Sequence, residues 1–319
     1  MVLYTIENVN GGGLFRYVSD LIKYLNVIKL HNKNDLLKIN YNDILILNNF
    51  YFTDIDIDDV INFNIVIVVH DCYWLSDVIM KYFYNNDFPP VQTNYLIDVN
   101  INDNIKKLFN KAYKVICPSN FVYNIYSKFF DVHNFVVLNH IDYKINLNNF
   151  VVLKIYDSIN IGVLHFPSKC KGIELITFLD NNVKFYKNYK INYLILNRDI
   201  PKYTEDDDLY YIVKKYNIHG TTLLNIWGET YCYTLTKLLN IGIPIIYNNI
   251  GSFTERIYDL HCEKYFSVFN NELCVYNYIQ LENVFYNFLD YIILHNDVDI
   301  YEKNTEINNI DNYKNIFNN

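Results

Sequence analysis

The chain is poor in the residues that mark nucleic-acid-binding, disulfide-stabilised or membrane-spanning proteins. Its 319 residues include only nine glycines, six prolines and three arginines, and the net charge of −8 argues against a nucleic-acid partner. The six cysteines form no CxxC pair and no zinc-site spacing, which predicts reduced thiols in a cytoplasmic protein. No secretory signal pattern occurs at the N-terminus, and no apolar run approaches the ~18 residues that span a bilayer.

Hydrophobic residues are abundant enough to fill two cores. They make up 51% of the chain, and its length exceeds the usual size of a single core. Apolar runs bounded by turn signals alternate with helical periodicity, which is typical of a parallel α/β sheet. The predicted strands are Val2–Ile6, Ile44–Asn48, Ile65–Val69, Lys114–Cys117, Val136–Leu138, Ile159–Leu164, Asn192–Leu196, Thr222–Ile226 and Ile243–Tyr247. The predicted helices are Leu14–Leu25, Gly172–Leu179, Leu209–Tyr216 and Tyr231–Asn240.

The alternation of predicted strands and helices occurs in each half of the chain, which predicts two doubly wound domains. We expect the first over residues 1–150 and the second over 151–296, with a tail over 297–319 that carries a weak apolar stripe and packs back on the first domain. A basic segment over 105–114 has apolar residues at helical spacing. It predicts a solvated helix face or, at most, a peripheral membrane contact.

In the first half, two segments carry candidate chemistry at predicted strand ends. A turn of three glycines, 11–13, precedes a helix, and its backbone N–H groups suit a phosphate. The segment "VIVVHDCYWL" ends a strand in His70 and Asp71, followed by Tyr73 and Trp74. It predicts a base or hydroxyl binder with an aromatic sugar platform; the alternative is a histidine at a strand end with aromatics packed beneath it.

Two further segments of the first half have structural interpretations. Ser119 is predicted to be the N-cap of a helix, with a ligand contact as the alternative. The string "TDIDIDDV" resembles a metal-binding DxD motif. Asp and Ile are so common in this chain that the string arises easily, and we predict no metal site there.

In the second half, a lysine and a glutamate lie close to predicted helix starts. Lys171 precedes a helix, where its charge opposes the macrodipole at a cost of up to about 1 kcal/mol unless an anion lies between them. This predicts a phosphate site that Lys169 can share. Glu229, in "WGETYCYTLTK", is either an acid that decorates a helix end or a ligand contact. The nearby "GSFTERI" predicts a capping box of Ser252 and Glu255.

In this order, the segments resemble the retaining glycosyltransferases of family four, which have the GT-B fold. The similar segments are "GGGLFRYVSDLIKYL", "VVHDCYWL", "AYKVICPSNFVYNIY", "VVLNHID", "KGIELI" and "IWGETYCYTLTKLLNIGIPIIYNNIGSFTERI". They cover residues 1–260, and the last is specific because it matches the family's "ETFGLVLLEAMAxGxPVV…GG…E" block. Its wording is also similar to glycosyltransferases of large AT-rich DNA viruses.

The resemblance implies two Rossmann-like doubly wound domains, an acceptor-side and a donor domain, that face each other across a cleft. It implies transfer of a hexose-type unit from a nucleotide sugar to a glycan, lipid or protein-linked acceptor with retained configuration, without metal or cofactor. The implied catalytic residues are His70, Lys171 and Glu229. The implied donor-binding residues are Gly12, Gly13, Lys169, Lys171, Glu229, Tyr231, Cys232 and Lys237. The implied acceptor-side residues are Asp71, Tyr73, Trp74 and Ser119.

Three positions depart from the family pattern. Lys237 stands where a second glutamate binds ribose, roughly 12 Å of helix beyond Glu229. Phe166 stands where an arginine precedes the phosphate lysine, and His140 replaces a glycine. A GT-B domain that binds a glycan or nucleotide without turnover is therefore the alternative, and another GT-B enzyme, such as an epimerase or phosphorylase, is a third.

Overall fold

The computed structural model describes ten ranges of the chain, which form two compact units. The described residues are 1–6, 12–50, 53–71, 74–75, 100–143, 153–202, 209–258, 264–268, 277–295 and 307–318. Unit 1 comprises the described residues up to Asp142 together with 307–318, and unit 2 comprises those from Tyr143 to 295. The sequence predicts this boundary near residue 150.

Unit 1 is built on a six-stranded parallel sheet. Its strands are Leu3–Ile6 (β1), Ile28–Leu30 (β2), Ile44–Leu47 (β3), Asn64–Val68 (β4), Lys114–Cys117 (β5) and Phe135–Val137 (β6), in the order β2-β1-β3-β4-β5-β6. A short strand, Asp142–Tyr143 (β7), follows. The helices are Gly12–Leu25 (α1), Ile57–Val60 (α2), Asp103–Lys111 (α3) and Asn120–Tyr126 (α4). Every residue of β3 is buried, as a parallel strand with both faces covered requires. The strand order reverses between β1 and β3, where open α/β sheets bind ligands.

Unit 2 repeats this architecture. Its strands are Ser158–Val163 (β8), Phe185–Tyr186 (β9), Tyr189–Ile195 (β10), Gly220–Leu223 (β11), Ile245–Tyr247 (β12) and Tyr265–Ser267 (β13), in the order β13-β12-β11-β8-β10-β9. The pairing of β9 with β10 is antiparallel, and the other pairs are parallel. The helices are Ile173–Asn182 (α5), Leu209–Lys215 (α6), Tyr233–Ile241 (α7), Ser252–Tyr258 (α8) and Tyr278–Leu294 (α9). Here the strand order reverses between β8 and β11.

Helix α9 is a large element that is absent from the helices predicted above. It places Leu281, Phe285 and Phe288, all fully buried, in the same core as the strands of unit 2. Its buried residues recur at helical spacing along one face, from Leu281 to Ile292, and the exposed Asn283 and Asn287 lie on the opposite face.

The end of the chain belongs to unit 1. The strand Ile307–Asn308 (β14) pairs with β7, and the helix Ile310–Asn318 (α10) follows. Tyr313 is fully buried, and its ring centroid lies 6.1 Å from that of Tyr17 on α1. The stripe in the tail is therefore a packing face.

The described helices include none that is both long and apolar enough to cross a bilayer. The basic segment over 105–114 contributes to α3, in which Leu108 and Phe109 are buried. The Lys106 ammonium nitrogen lies 3.8 Å from the Asp103 Oδ1 atom on the same helix, which is an ordinary ion pair on a helix surface.

Candidate functional site

In unit 2, the loops after β8 and β11 meet where the strand order reverses. The backbone N–H of Ile226 donates to the carbonyl oxygen of Cys170 at 3.0 Å. Gly172 ends the loop after β8 with φ +75°, and a Cβ there would lie 1.8 Å from the carbonyl oxygen of Leu224. Only glycine lets the two loops approach this closely. Lys171 is thereby brought beside the segment that leads to Glu229.

Lys171 and Glu229 form an ion pair at this junction. The Lys171 ammonium contacts the Glu229 Oε1 atom, and Asn225 Nδ2 donates to the same oxygen at 2.6 Å. The exposed fraction is 29% for the lysine side chain and 12% for the glutamate side chain. The sequence predicts both residues as site residues, and the adjacency of β8 and β11 brings them together.

Glu229 does not belong to the helix that follows it. Helix α7 begins at Tyr233 with Cys232 as its N-cap, and no acid lies in its first turn. The sequence predicts a start at Tyr231, which would place Glu229 nearer the helix end. Because the carboxylate precedes the helix and is held by Lys171 and Asn225, its interpretation as a helix-end charge loses its basis. The helical spacing of roughly 12 Å to Lys237 does not apply either, since only the second half of that stretch is helical.

The start of α8 supports the backbone of Glu229. Gly251 has φ +65°, and a Cβ there would lie 2.4 Å from the Glu229 nitrogen. The Ser252 N–H donates to the Glu229 carbonyl oxygen at 2.7 Å. The Ser252 hydroxyl donates to the Tyr231 carbonyl oxygen at 3.2 Å. Ser252 is the first residue of α8, whereas the predicted capping box with Glu255 places it just before the helix.

Three buried acceptors that sequence reasoning missed follow the strands on this edge of the sheet. His165 follows β8, Asn225 follows β11 and Asn248 follows β12; each is at most 6% exposed. The two asparagines use Nδ2 as donors, and His165 Nδ1 lies 3.2 Å from the Phe166 carbonyl oxygen. Within the described ranges, His165 Nε2 and the Oδ1 atoms of Asn225 and Asn248 have no hydrogen-bond partner. Buried acceptors of this kind suit a ligand that donates hydrogen bonds, such as one that carries hydroxyls. Their position one or two residues beyond a strand end is the signal that identifies them.

His165 is uncharged at neutral pH. Burial is the largest effect that lowers the pKa of its imidazole to about 4; the charge of Lys171 acts in the same direction, and the hydrogen bond to Phe166 opposes it. With Nδ1–H donating to the carbonyl, the Nε2 atom is an acceptor.

Unit 1 has its own polar cluster where its strand order reverses. Asn48, after β3, donates through Nδ2 to the Thr5 hydroxyl of β1 at 2.9 Å, so its Oδ1 faces His70 Nε2 at 2.8 Å. Nε2–H is therefore the donor in this bond. The His70 ring also lies 4.8 Å from the Tyr17 ring and 5.2 Å from the His140 ring. Burial lowers the pKa of His70 to about 3, so it is a weak base and a hydrogen-bonding role suits it better than proton abstraction.

The residues after His70 differ in their environments. The Asp71 carbonyl oxygen accepts a hydrogen bond from the Tyr126 hydroxyl at 2.7 Å. Trp74 is 1% exposed and packs edge-on against Phe109 at 5.8 Å, which favours the packing alternative over a sugar platform. The predicted contact at Tyr73 lies outside the described residues.

Ser119 and the glycines 12 and 13 lie at the starts of two helices. The Ser119 side chain accepts from the Val122 N–H at 3.3 Å, which confirms the predicted N-cap of α4. The serine is 1% exposed, and this burial favours the capping role over a ligand contact. Gly12 and Gly13 begin α1, whereas Gly11 lies outside the described residues.

The aspartate string 54–58 is explained by capping. Asp56 is the N-cap of α2 and accepts from the Asp59 N–H at 3.2 Å. Asp54 accepts from the backbone N–H of Lys33 at 2.9 Å, and the Lys33 ammonium pairs with Asp59. Across the part of the chain that the structure describes, no group of three or more His, Cys, Asp or Glu side chains is arranged to hold a metal.

The two buried histidines predict a loss of stability in acid. Each has a folded-state pKa below its ordinary value of 6.5, so the unfolded chain binds more protons between that pH and about 4 for His165 or about 3 for His70. The free energy of unfolding should fall as the pH is lowered through these windows, by at most about 1.4 kcal/mol per pH unit for each group. Urea unfolding of His165→Gln and His70→Gln at several pH values measures this. Each variant should have a shallower slope than wild type, and an unchanged slope would show that the histidine is not buried neutral.

Comparison with known proteins gives structural matches only. No protein-family model matches the chain, and no curated protein sequence matches it significantly. HepE from Anabaena, in complex with UDP, is 13% identical, with a TM-score of 0.51 over 93% of this chain and 95% of that chain. HepE in complex with UDP-glucose is 11% identical, with the same TM-score over 93% and 96%. Sucrose-phosphate synthase from Thermosynechococcus elongatus is 12% identical, with a TM-score of 0.50 over 92% and 94%.

At these identities the similarity establishes the fold. The chain has the GT-B fold, with two Rossmann-like α/β units, as the sequence predicts. The matches extend over nearly the whole of both chains, so the similarity is not confined to one nucleotide-binding unit. One fold can carry many unrelated activities, so the activity depends on the residues of the site.

Proposed function

We propose that the protein is a retaining glycosyltransferase that takes its donor, a nucleotide sugar, at the Lys171–Glu229 junction of unit 2. The observation that carries this proposal is the pairing of one ammonium and one carboxylate where the strand order of that sheet reverses. Nucleotides bind at such positions in doubly wound sheets. The similar structures include HepE crystallised with UDP and, separately, with UDP-glucose.

The chemistry divides between the two charged groups. When the glycosidic bond to the diphosphate breaks, negative charge collects on the leaving nucleoside diphosphate. A preorganised ammonium, together with backbone N–H groups at a helix start, stabilises this charge without a metal. Lys171 and the first turn of α7 supply these groups. The diphosphate itself accepts the acceptor's proton, so no strong base on the protein is needed.

Glu229 and the buried acceptors around it hold the transferred sugar. A sugar presents hydroxyl donors, and the carboxylate of Glu229, His165 Nε2 and the Asn225 Oδ1 atom are acceptors. When the donor binds, the Lys171 ammonium leaves Glu229 and pairs with the diphosphate. The sugar hydroxyls then donate hydrogen bonds to the Glu229 carboxylate in place of the ammonium. Each charged group therefore exchanges one partner for another when the donor binds.

The acceptor is a glycan, a lipid or a protein-linked sugar in this proposal. By the resemblance, unit 1 serves the acceptor side, with His70 near the reacting carbon. A neutral imidazole held by Asn48 suits a hydroxyl of the donor sugar or acceptor, because it forms a hydrogen bond without adding charge. Lys169 and Lys237 are further proposed donor contacts.

A donor panel tests this function directly. Purified protein is incubated with UDP-, GDP-, dTDP- and ADP-sugars, with and without EDTA, and release of the nucleoside diphosphate is measured. At least one donor should be hydrolysed slowly in the absence of acceptor, and the chelator should leave the rate unchanged. The anomeric configuration of the product, read by NMR, should match that of the donor.

Three results would contradict parts of the proposal. Loss of turnover in EDTA would rule out the metal-free mechanism, and an inverted anomer would rule out retention. Binding of a donor without turnover, even with a broad set of glycan acceptors, would favour the non-catalytic GT-B domain. That alternative is supported by Lys237 and Phe166, two of the three departures from the family pattern.

A further inference from the structure

Arg256, on α8, is bonded to the turn that begins α7. Its Nη1 donates to the carbonyl oxygens of Tyr231 at 2.5 Å and of Cys232 at 3.0 Å, and Nη2 donates to the hydroxyl of Thr236. The guanidinium carbon lies 4.1 Å from the centroid of the Tyr231 ring. The planar guanidinium thus contacts two carbonyl oxygens and one aromatic ring of the turn, and one hydroxyl of α7.

The two other arginines are used differently. Arg16 pairs with Asp20 at 3.0 Å, and Arg198 pairs with Asp199 at 2.7 Å and with Asp180 at 3.2 Å. Arg198 also donates to one backbone carbonyl oxygen, that of Tyr193, at 2.7 Å. Among the residues that the structure describes, Arg256 pairs with no carboxylate, and its guanidinium donates to two backbone carbonyl oxygens instead. A cation directed at a single turn indicates that the conformation of that turn matters.

The turn has a conformation that requires such support. Cys232 has φ +68°, in the left-handed region that a residue with a side chain seldom adopts, and its side chain does not cap α7. Strain of this kind persists only where neighbouring groups hold it. Ser252 supplies a second hydrogen bond to the Tyr231 carbonyl oxygen, so two residues of α8 act on the same turn.

Fixing the carbonyl groups also fixes the N–H groups. In a planar trans peptide the C=O and the following N–H point in opposite directions. When the carbonyls of Tyr231 and Cys232 face Arg256, the N–H groups of Cys232 and Tyr233 face away from it. These N–H groups lie at the N-terminal end of α7, the positive end of the helix dipole.

We propose that Arg256 is a positioning residue, which sets the direction of these N–H groups so that they bind the diphosphate of the donor. The proposal rests on the proposed function and deepens it, since it names the group that makes the turn competent for an anion. Arg256 acts through the turn and does not itself touch the donor.

The test compares Arg256→Lys with Arg198→Lys. Lysine keeps the charge but loses the planar fork, so Arg256→Lys should weaken binding of UDP, or of whichever nucleoside diphosphate the wild type binds, by about tenfold or more in calorimetry. It should raise KM for the donor and lower kcat, leave KM for the acceptor unchanged, and speed hydrogen exchange of the amides over 230–234. Arg198→Lys, on the same unit, should change none of these.

The outcomes separate the two proposals. If the wild type binds a nucleoside diphosphate and Arg256→Lys binds it equally well, the positioning role is wrong and the proposed function stands. If UDP, GDP, dTDP and ADP all fail to bind the wild type, the proposed function falls, and the positioning role falls with it. Should Arg256→Lys not fold, Thr236→Val removes one anchor of the guanidinium without removing charge. It should weaken binding by about threefold, and unchanged affinity in that variant would also overturn the role.

Discussion

Replacing Glu229 with glutamine is expected to lower kcat/KM for the donor by about 100-fold, because an amide cannot accept hydrogen bonds from sugar hydroxyls as strongly as a carboxylate. Hydrogen bonds to a charged group contribute about 1.5–3 kcal/mol each, and about 1.4 kcal/mol corresponds to a factor of ten. Glutamine keeps the size of the side chain, and the Lys171 ammonium loses a partner at a partly exposed position. The cost to stability should therefore be at most about 1 kcal/mol.

Glu174 provides the matched control. It is an exposed acid in the first turn of α5, in the same unit, and has the helix-end role that Glu229 lacks. Glu174→Gln should change kcat/KM by no more than about twofold, since loss of a first-turn charge affects the helix by only about 0.3–1 kcal/mol. Initial rates over a range of donor concentrations, with thermal unfolding as a folding check, measure both variants. Equal rates for Glu229→Gln and wild type would return Glu229 to a structural role.

Gly172→Ala is the substitution with the largest expected effect on stability. The new Cβ would lie 1.8 Å from the Leu224 carbonyl oxygen, and this contact is to backbone and not to a side chain that can turn away. To accommodate it, the loop that carries Lys171 has to separate from the end of β11. We expect a loss of about 3 kcal/mol or more from unit 2, and loss of the Lys171–Glu229 pair.

Gly12→Ala separates crowding from backbone strain. Gly12 has φ +80°, but among the described residues no atom lies within 4 Å of the position that a Cβ would take. Alanine there costs only the left-handed conformation, about 1–2 kcal/mol. Hydrogen exchange reports each unit separately, so faster exchange should appear throughout unit 2 in Gly172→Ala and remain local to the start of α1 in Gly12→Ala. Similar losses in both variants would mean that the contact with Leu224 is not a constraint.

The sequence predicts those strands and helices that have a regular apolar pattern and distinct turn or capping residues at their ends. The strand Lys114–Cys117 is confirmed with its bounds, and Ser119 caps the next helix as predicted, because apolar runs and N-caps are local signals. Helix α9 is absent from the predicted elements, although its buried residues recur at helical spacing from Leu281 to Ile292. The start of α7 was predicted at Tyr231 because a left-handed Cys232 leaves no mark in the sequence.

The candidate site is predictable one residue at a time, but its contacts are not. Lys171 and Glu229 follow from motif order, whereas their pairing depends on β8 lying beside β11 in the sheet. Arg256 has no local pattern, because its hydrogen-bond partners lie about 20 or more residues earlier, in the turn before α7 and in α7 itself. Trp74 reads equally well as a platform or as core, and only its burial distinguishes the two.

The ion pair between Lys171 and Glu229 also bears on how the spent donor leaves. Without ligand the two charges neutralise each other, so a simple anion such as phosphate has to displace a carboxylate to reach the ammonium. An intact nucleotide sugar compensates for this displacement by offering its hydroxyls to Glu229. A nucleoside diphosphate that has lost its sugar cannot do so, and re-formation of the ion pair then favours its departure. In the proposed reaction, the same two side chains make inhibition by the product weaker than the shared diphosphate alone would produce.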